Sequence, residues 1–266
     1  MQKHAVFLVY ILGFLLVLSV GYAHVGGGSA QAVSDLRLQI IWVLSIAGVI
    51  AIASVFAALR IKPRTNSAKW VFFLIIAIPV IIATLYLFYS TVSLNIASET
   101  KGPVHWHADF EVFICDQHKD LINATGFSNL VGNPVLHEHG DNRVHVEGVL
   151  LKKSHATLAS FFNALGGVLS NDVLIFPTDS GIRRVENMDK CPDGTSGMLQ
   201  VFVYHTTGKV YKQVKLKDFE HYVISPYSNV PPGDCLIIEF GKEKEQTRRI
   251  CESYNAAIKR GDIYGS

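Results

Sequence analysis

The residues best suited to chemistry are histidines, and they fall in three short motifs: His105-Trp106-His107-Ala108-Asp109, His137-Glu138-His139 and His145-Val146-Glu147. Neutral imidazole is a ligand for zinc, copper, iron and nickel. On an extended strand, side chains two positions apart point to the same face. Each His-x-His pair therefore presents two ring nitrogens side by side, near enough to share one ion. Three or four such ligands would complete a tetrahedral zinc site or a tetragonal copper site. Asp109 and Glu147 continue the two-residue spacing and can ligate directly or orient ring N–H groups from behind. The candidate ligand pool is thus His105, His107, His137, His139, His145, Asp109 and Glu147. The chain has only three methionines, none near these motifs, which argues against a thioether-rich Cu(I) site.

Two other readings fit the same residues. A coordination position open to water or oxygen would make the site a metal-dependent enzyme, with Glu147 or Asp109 as base. Without metal, the histidines would bond to Asp109, Glu138 and Glu147. They would then form a pH-responsive contact surface, since imidazole titrates near 6.5.

The elements that must position these side chains are legible from periodicity. Residues 104–115 alternate, with Trp106, Ala108, Phe110, Val112 and Ile114 on one face and His105, His107, Asp109 and Glu111 on the other. That is a strand with one buried face. Residues 135–149 predict a hairpin. A three-residue loop, Gly140-Asp141-Asn142, sets His139 opposite Arg143 and His137 opposite His145. A two-residue loop would instead bury two imidazoles beside Val144 and Val146, so burial selects the longer loop. That register gathers His137, His139, His145 and Glu147 on one side.

Residues 157–165 space Leu158, Phe161, Phe162 and Leu165 as an amphipathic helix, stopped by Gly166-Gly167. Further strands are expected at 172–177, 198–205, 209–216 and 235–240, and a helix at 243–260. The order indicates an α+β domain with a mixed or antiparallel sheet. A β-grasp-like sheet wrapped on the 157–165 helix is the specific expectation.

Three uncharged apolar runs precede this domain, at 5–23, 38–59 and 70–98. A spanning helix needs about 20 apolar residues. The expectation is a three-helix membrane anchor over 1–98 and an outer domain over 99–266. The first run also fits a signal peptide cut after Ala23, but it is longer than the about 7–15 residues of a signal core, which favours an uncleaved helix. The connector 60–69 carries Arg60, Lys62, Arg64 and Lys69 with no acid. The positive-inside rule then puts it in the cytoplasm and the C-terminal domain outside, in a multi-pass protein of the cell membrane.

All four cysteines, Cys115, Cys191, Cys235 and Cys251, lie in that domain, as an oxidising compartment would favour. Four cysteines allow three full pairings, and spacing does not choose among them. No Cys-x-x-Cys is present to support redox catalysis. The net charge of +2, from 24 basic and 22 acidic residues, gives no reason to expect nucleic acid as a partner. The partners expected are a copper or zinc ion and a lipid bilayer; no protein partner is indicated.

The order His105-x-His107-Ala108-Asp109-Phe110, then His137-x-His139 near a short turn, then Thr157-Leu158-x-x-Phe161-Phe162, resembles a family of uncharacterised prokaryotic extracytoplasmic proteins. The resemblance covers about residues 100–240 and not the anchor. It implies a membrane-tethered, His-rich α+β domain. Some members carry a protein-disulfide isomerase designation, which the missing Cys-x-x-Cys does not support.

Overall fold

The structure is a computed structural model that describes residues 28–125, 129–224 and 233–265. It divides into two units, Met1–Ala97 and Ser98–Ser266. Within the first, two long helices are described, α1 (Ser29–Ile61) and α2 (Asn66–Ala97). Both are long and apolar enough to cross a membrane. Their large side chains face outward, with Trp42, Ile52, Phe56, Phe73 and Phe88 all more than half exposed, as lipid contact requires and water does not. The two helices touch each other, and Tyr86 Oη donates to Gln39 Oε1. The expected three-helix anchor is therefore seen as a pair; the first span, 5–23, lies outside the described residues.

The second unit is built on a mixed sheet. Its strands are β1 (Pro103–Ile114), β2 (Gln117–Lys119), β3 (Val131–Gly132), β4 (Leu136–Glu138), β5 (Arg143–Val149), β9 (Met198–Thr207), β10 (Val210–Leu216), β11 (Asp234–Gly241) and β12 (Tyr264–Gly265). The order across the sheet is β12-β10-β9-β11-β1-β5-β4-β3, with β2 folded back on β1. β1 and β11 run parallel at the centre, and each is antiparallel to its outer neighbour, β5 or β9. A smaller antiparallel sheet holds β6 (Val168–Leu169), β7 (Val173–Thr178) and β8 (Gly181–Glu186).

One face of the main sheet packs on α3 (Leu158–Ala164). Thr157 caps this helix by accepting from Ser160 N. Phe161 meets Phe110 with ring centroids 5.4 Å apart. The other face packs on α4 (Glu252–Arg260), where Tyr254 and Ala257 join Phe202, Tyr204, Cys235 and Ile237 in one buried cluster. This two-sided covering explains why β11 is buried almost throughout, with residues 235–238 apolar on both faces.

The expected helix at 243–260 forms only from Glu252. Upstream, Thr247 O accepts from Tyr204 Oη and from Gln213 Nε2, and a disulfide ties Cys251 to Cys235. Those side-chain bonds take the carbonyl that a helix would need and hold Cys251 extended. β8 was not expected, because its Ile182, Arg183 and Arg184 are exposed and give no alternation.

The second disulfide joins Cys115 to Cys191, across 76 residues of sequence, against 16 for Cys235–Cys251. On the chain-entropy account these loops correspond to about 4.5 and about 3 kcal/mol of stabilisation. No described cysteine is free.

Candidate metal centre

The histidines lie on the α4 face of the sheet, at its β1-β5-β4 side. β1 pairs with β5 so that His105 opposes Glu147, His107 opposes His145 and Asp109 opposes Arg143. β4 pairs with β5 so that His137 opposes His145, as the hairpin reading expected. Three imidazoles thus form a row across three strands: His107, His145, His137. The apolar partners Ala108, Val144, Val146 and Leu136 are buried on the reverse face, which pins the register.

His105 and His139 extend the row at opposite corners. His105 is displaced toward the Glu147 end of β5. His139 lies past the last residue of β4, toward the loop that carries Asp141. Ring centroids of His107 and His145 are 4.6 Å apart, as are those of His139 and His145; His137 and His145 stack at 5.5 Å. Ligand atoms of His105, His107 and His145 lie within 4.8 Å of one another, and so do those of His137, His139 and His145. His145 belongs to both groups.

The hydrogen bonds say which nitrogen of each ring is offered. His137 Nδ1 faces Asn133 O at 3.2 Å, and His139 Nδ1 faces Asn129 O. A carbonyl only accepts, so each Nδ1 is a donor and Nε2 is the nitrogen left to face a metal, the arrangement that a metal-binding histidine needs. Both carbonyls come from the segment around β3. There Gly132, at φ +126°, passes so close to β4 that a Cβ would stand 2.4 Å from Leu136 O. His139 is therefore oriented by this segment rather than by the expected ladder with Arg143.

Two nitrogens at the centre are buried and, among the described residues, lack a hydrogen-bond partner: His107 Nε2 and His145 Nδ1. Leaving a buried polar atom unpaired costs about 1–3 kcal/mol. An ion between these rings would satisfy both.

Electrostatics favour the ligating form. Burial pushes His145 down to about 4, against the pull of Asp141, whose Oδ2 lies 3.3 Å from His145 Nε2. Burial also lowers His107 and His137, helped at His107 by His105 and Arg143. These rings are neutral at pH 7, as coordination requires.

The two acids of the ligand pool part company. Glu147 stays in the cluster. Its Oε1 is 3.2 Å from His105 Nε2 and 4.0 Å from His145 Nδ1, and its Oε2 is 3.9 Å from His137 Nε2. Asp109 does not stay. Arg143 Nε donates to its Oδ1 at 2.7 Å, and Ser253 Oγ donates to its Oδ2. Both oxygens are engaged, and Asp109 anchors α4 to β1.

Two acids outside the expected ligand pool also matter. Asp141 was read only as a loop residue, yet it faces His145. Glu138 was read as a partner for the histidines. Instead its Oε1 accepts from Asp141 N at 2.6 Å and from Asn142 N at 3.2 Å, holding that loop. The available signal was spacing, because Asp141 stands four residues before His145 in a turn too short to swing away.

No family model, no curated protein and no solved structure matches this chain. The functional reading rests on the geometry.

Proposed function

We propose that this protein is a membrane-anchored, extracytoplasmic transition-metal-binding protein that holds copper or zinc on its histidine cluster. The observation that carries the reading is the pair of buried nitrogens, His107 Nε2 and His145 Nδ1, set among the clustered imidazoles with no hydrogen-bond partner among the described residues. His105, His107, His137, His139 and His145 supply the nitrogen ligands, and Glu147 supplies a carboxylate. All four cysteines are tied up as disulfides, so no thiolate is offered. Imidazole with carboxylate suits Cu(II) and Zn(II) better than Cu(I).

Placement outside the cytoplasm is supported by the two disulfides and by the basic residues Arg60, Lys62, Arg64 and Lys69 around the α1–α2 connection. The outer domain is read as β-grasp-like. In support, β1 and the late strand β11 are parallel at the sheet centre, a hairpin flanks each, and α3 crosses one face. Such a protein would store, relay or sense the ion at the membrane surface.

The test is linkage between metal and stability. A ligand that binds only the folded state stabilises it by RT ln(1 + [L]/Kd), about 2.7 kcal/mol at a hundredfold excess over Kd. Cu(II) or Zn(II) added to the chelator-stripped full-length chain should raise the unfolding midpoint of the outer domain. His107→Ala, which removes one of the two unpaired buried nitrogens, should reduce the rise. An unchanged midpoint with either ion would overturn the reading.

A further inference from the structure

The cluster divides into two ligand groups on either side of one ring. His105, His107 and His145 form one group, and His137, His139 and His145 the other. His145 sits in the middle of the three-strand row, opposed by His107 on β1 and by His137 on β4.

The two nitrogens of His145 face different carboxylates. Nδ1 is turned toward Glu147 Oε1, at 4.0 Å, and Glu147 in turn lies 3.2 Å from His105 Nε2. Nε2 is turned toward Asp141 Oδ2, at 3.3 Å, in the loop that follows His139. Each nitrogen of the shared ring therefore has its own carboxylate, and Glu147 also reaches the other group, its Oε2 lying 3.9 Å from His137 Nε2.

We propose, resting on the metal-binding reading above, that the site is dinuclear: two transition-metal ions bridged by the imidazole of His145. One ion takes His105, His107 and His145 Nδ1, with Glu147 as the oxygen ligand. The other takes His137, His139 and His145 Nε2, with Asp141 as the oxygen ligand. Each set is three nitrogens and one carboxylate, which completes four coordinate positions for zinc or copper. A bridging imidazole has no room for a proton. The ring therefore enters as imidazolate and its remaining N–H proton passes to water as the second ion binds. The negative charge of the bridge, with two carboxylates, offsets three of the four positive charges of two divalent ions.

The arrangement also accounts for a nearly buried ring at the centre of the cluster, beside the buried His137. The His145 side chain is 10% exposed, against 63% for His105. An ordinary single-ion site would need only one nitrogen of this ring. Here both ring nitrogens have a carboxylate within 4.0 Å, and the ring belongs to two histidine groups.

The experiment loads full-length protein in detergent with Cu(II), removes excess ion, and measures copper per chain together with the electron paramagnetic resonance spectrum. Two ions per chain are expected, with a spectrum weakened by coupling through the bridge and a half-field signal. His137→Ala/His139→Ala and His105→Ala/His107→Ala should each keep one copper and give an ordinary single-ion spectrum. His145→Leu should remove the coupling and lower affinity at both positions.

One copper per chain, lost equally in either double variant, would overturn the dinuclear assignment while leaving metal binding intact. Two coppers without coupling would overturn the bridge. No copper at all would overturn the metal-binding reading itself.

Discussion

His107 and His145 are direct cross-strand partners on β1 and β5, with ring centroids 4.6 Å apart, and each buries a nitrogen that no described group satisfies. A fold gains nothing from such a pair by itself. A protein shaped only for stability would place aliphatic residues there, as it does on the reverse face with Ala108 and Val144. On the metal-binding proposal the pair is a function-for-stability compromise. Replacing His145 with leucine should raise the stability of the metal-free protein by about 1 kcal/mol, since an unpaired buried polar atom is removed. The same change should lower metal affinity at least tenfold. Denaturant titration with and without ion checks both, and a metal-free variant less stable than the parent would show that the ring is structural.

Acid should weaken the metal-free domain through the same ring. The folded-state value of His145 lies at about 4, below the unfolded value near 6.5. The unfolded chain therefore takes up its proton first as pH falls. The stability contribution of neutral His145 is whole above about pH 6.5, shrinks as pH drops below it, and is fully lost below about 4. The loss is on the order of 3 kcal/mol. His107 and His137 are lowered as well and act in the same direction. Unfolding midpoints measured from pH 7 to pH 4 should fall, and His145→Leu should flatten the slope. A parent protein with no slope would contradict the buried, neutral assignment.

The β3 segment should control affinity without touching an ion. Gly132→Ala places a methyl 2.4 Å from Leu136 O and 2.9 Å from His137 Cα, at a φ of +126° that favours glycine. β3 must move off β4, and the carbonyls of Asn133 and Asn129 that orient His137 and His139 move with it. Loss of an orienting partner typically lowers metal affinity by about 10–100-fold. Isothermal titration of Gly132→Ala should find a fall in that range together with reduced stability; unchanged affinity would detach β3 from the site.

The disulfides should behave as staples. Cys115→Ala/Cys191→Ala opens the longer loop and should destabilise by about 4–5 kcal/mol, against about 3 kcal/mol for Cys235→Ala/Cys251→Ala. Neither pair lies among the candidate ligands, so a protein that still folds should keep its metal. Thermal unfolding and metal content of both variants test this, and lost metal in a folded variant would point to thiol involvement.

Much of the site was legible in the sequence because strand periodicity is simple. Alternation on β1 and the burial argument on the Gly140-Asp141-Asn142 loop were enough to pair His137 with His145 and to place Leu136 beside Val146. What was not legible depended on groups far apart in sequence. Asp109 shares the face of His105 and His107, yet Ser253, more than a hundred residues away, and Arg143 claim it. His139 owes its orientation to a backbone carbonyl at Asn129, and no side-chain pattern marks a carbonyl. The helix at 243–260 was over-read because its apolar spacing is real, with Thr247, Cys251 and Tyr254 all buried, but bonds to Tyr204, Gln213 and Cys235 hold the first half extended. The exposed strand β8 carried no burial signal at all.

The central claim is that this histidine cluster binds a transition metal. Elemental analysis of the purified full-length chain, loaded at neutral pH and freed of excess ion, tests it most directly, with His107→Ala/His145→Ala as the control. The account predicts stoichiometric copper or zinc in the parent and far less in the double variant. No retained metal in the parent, or equal metal in both, would contradict it.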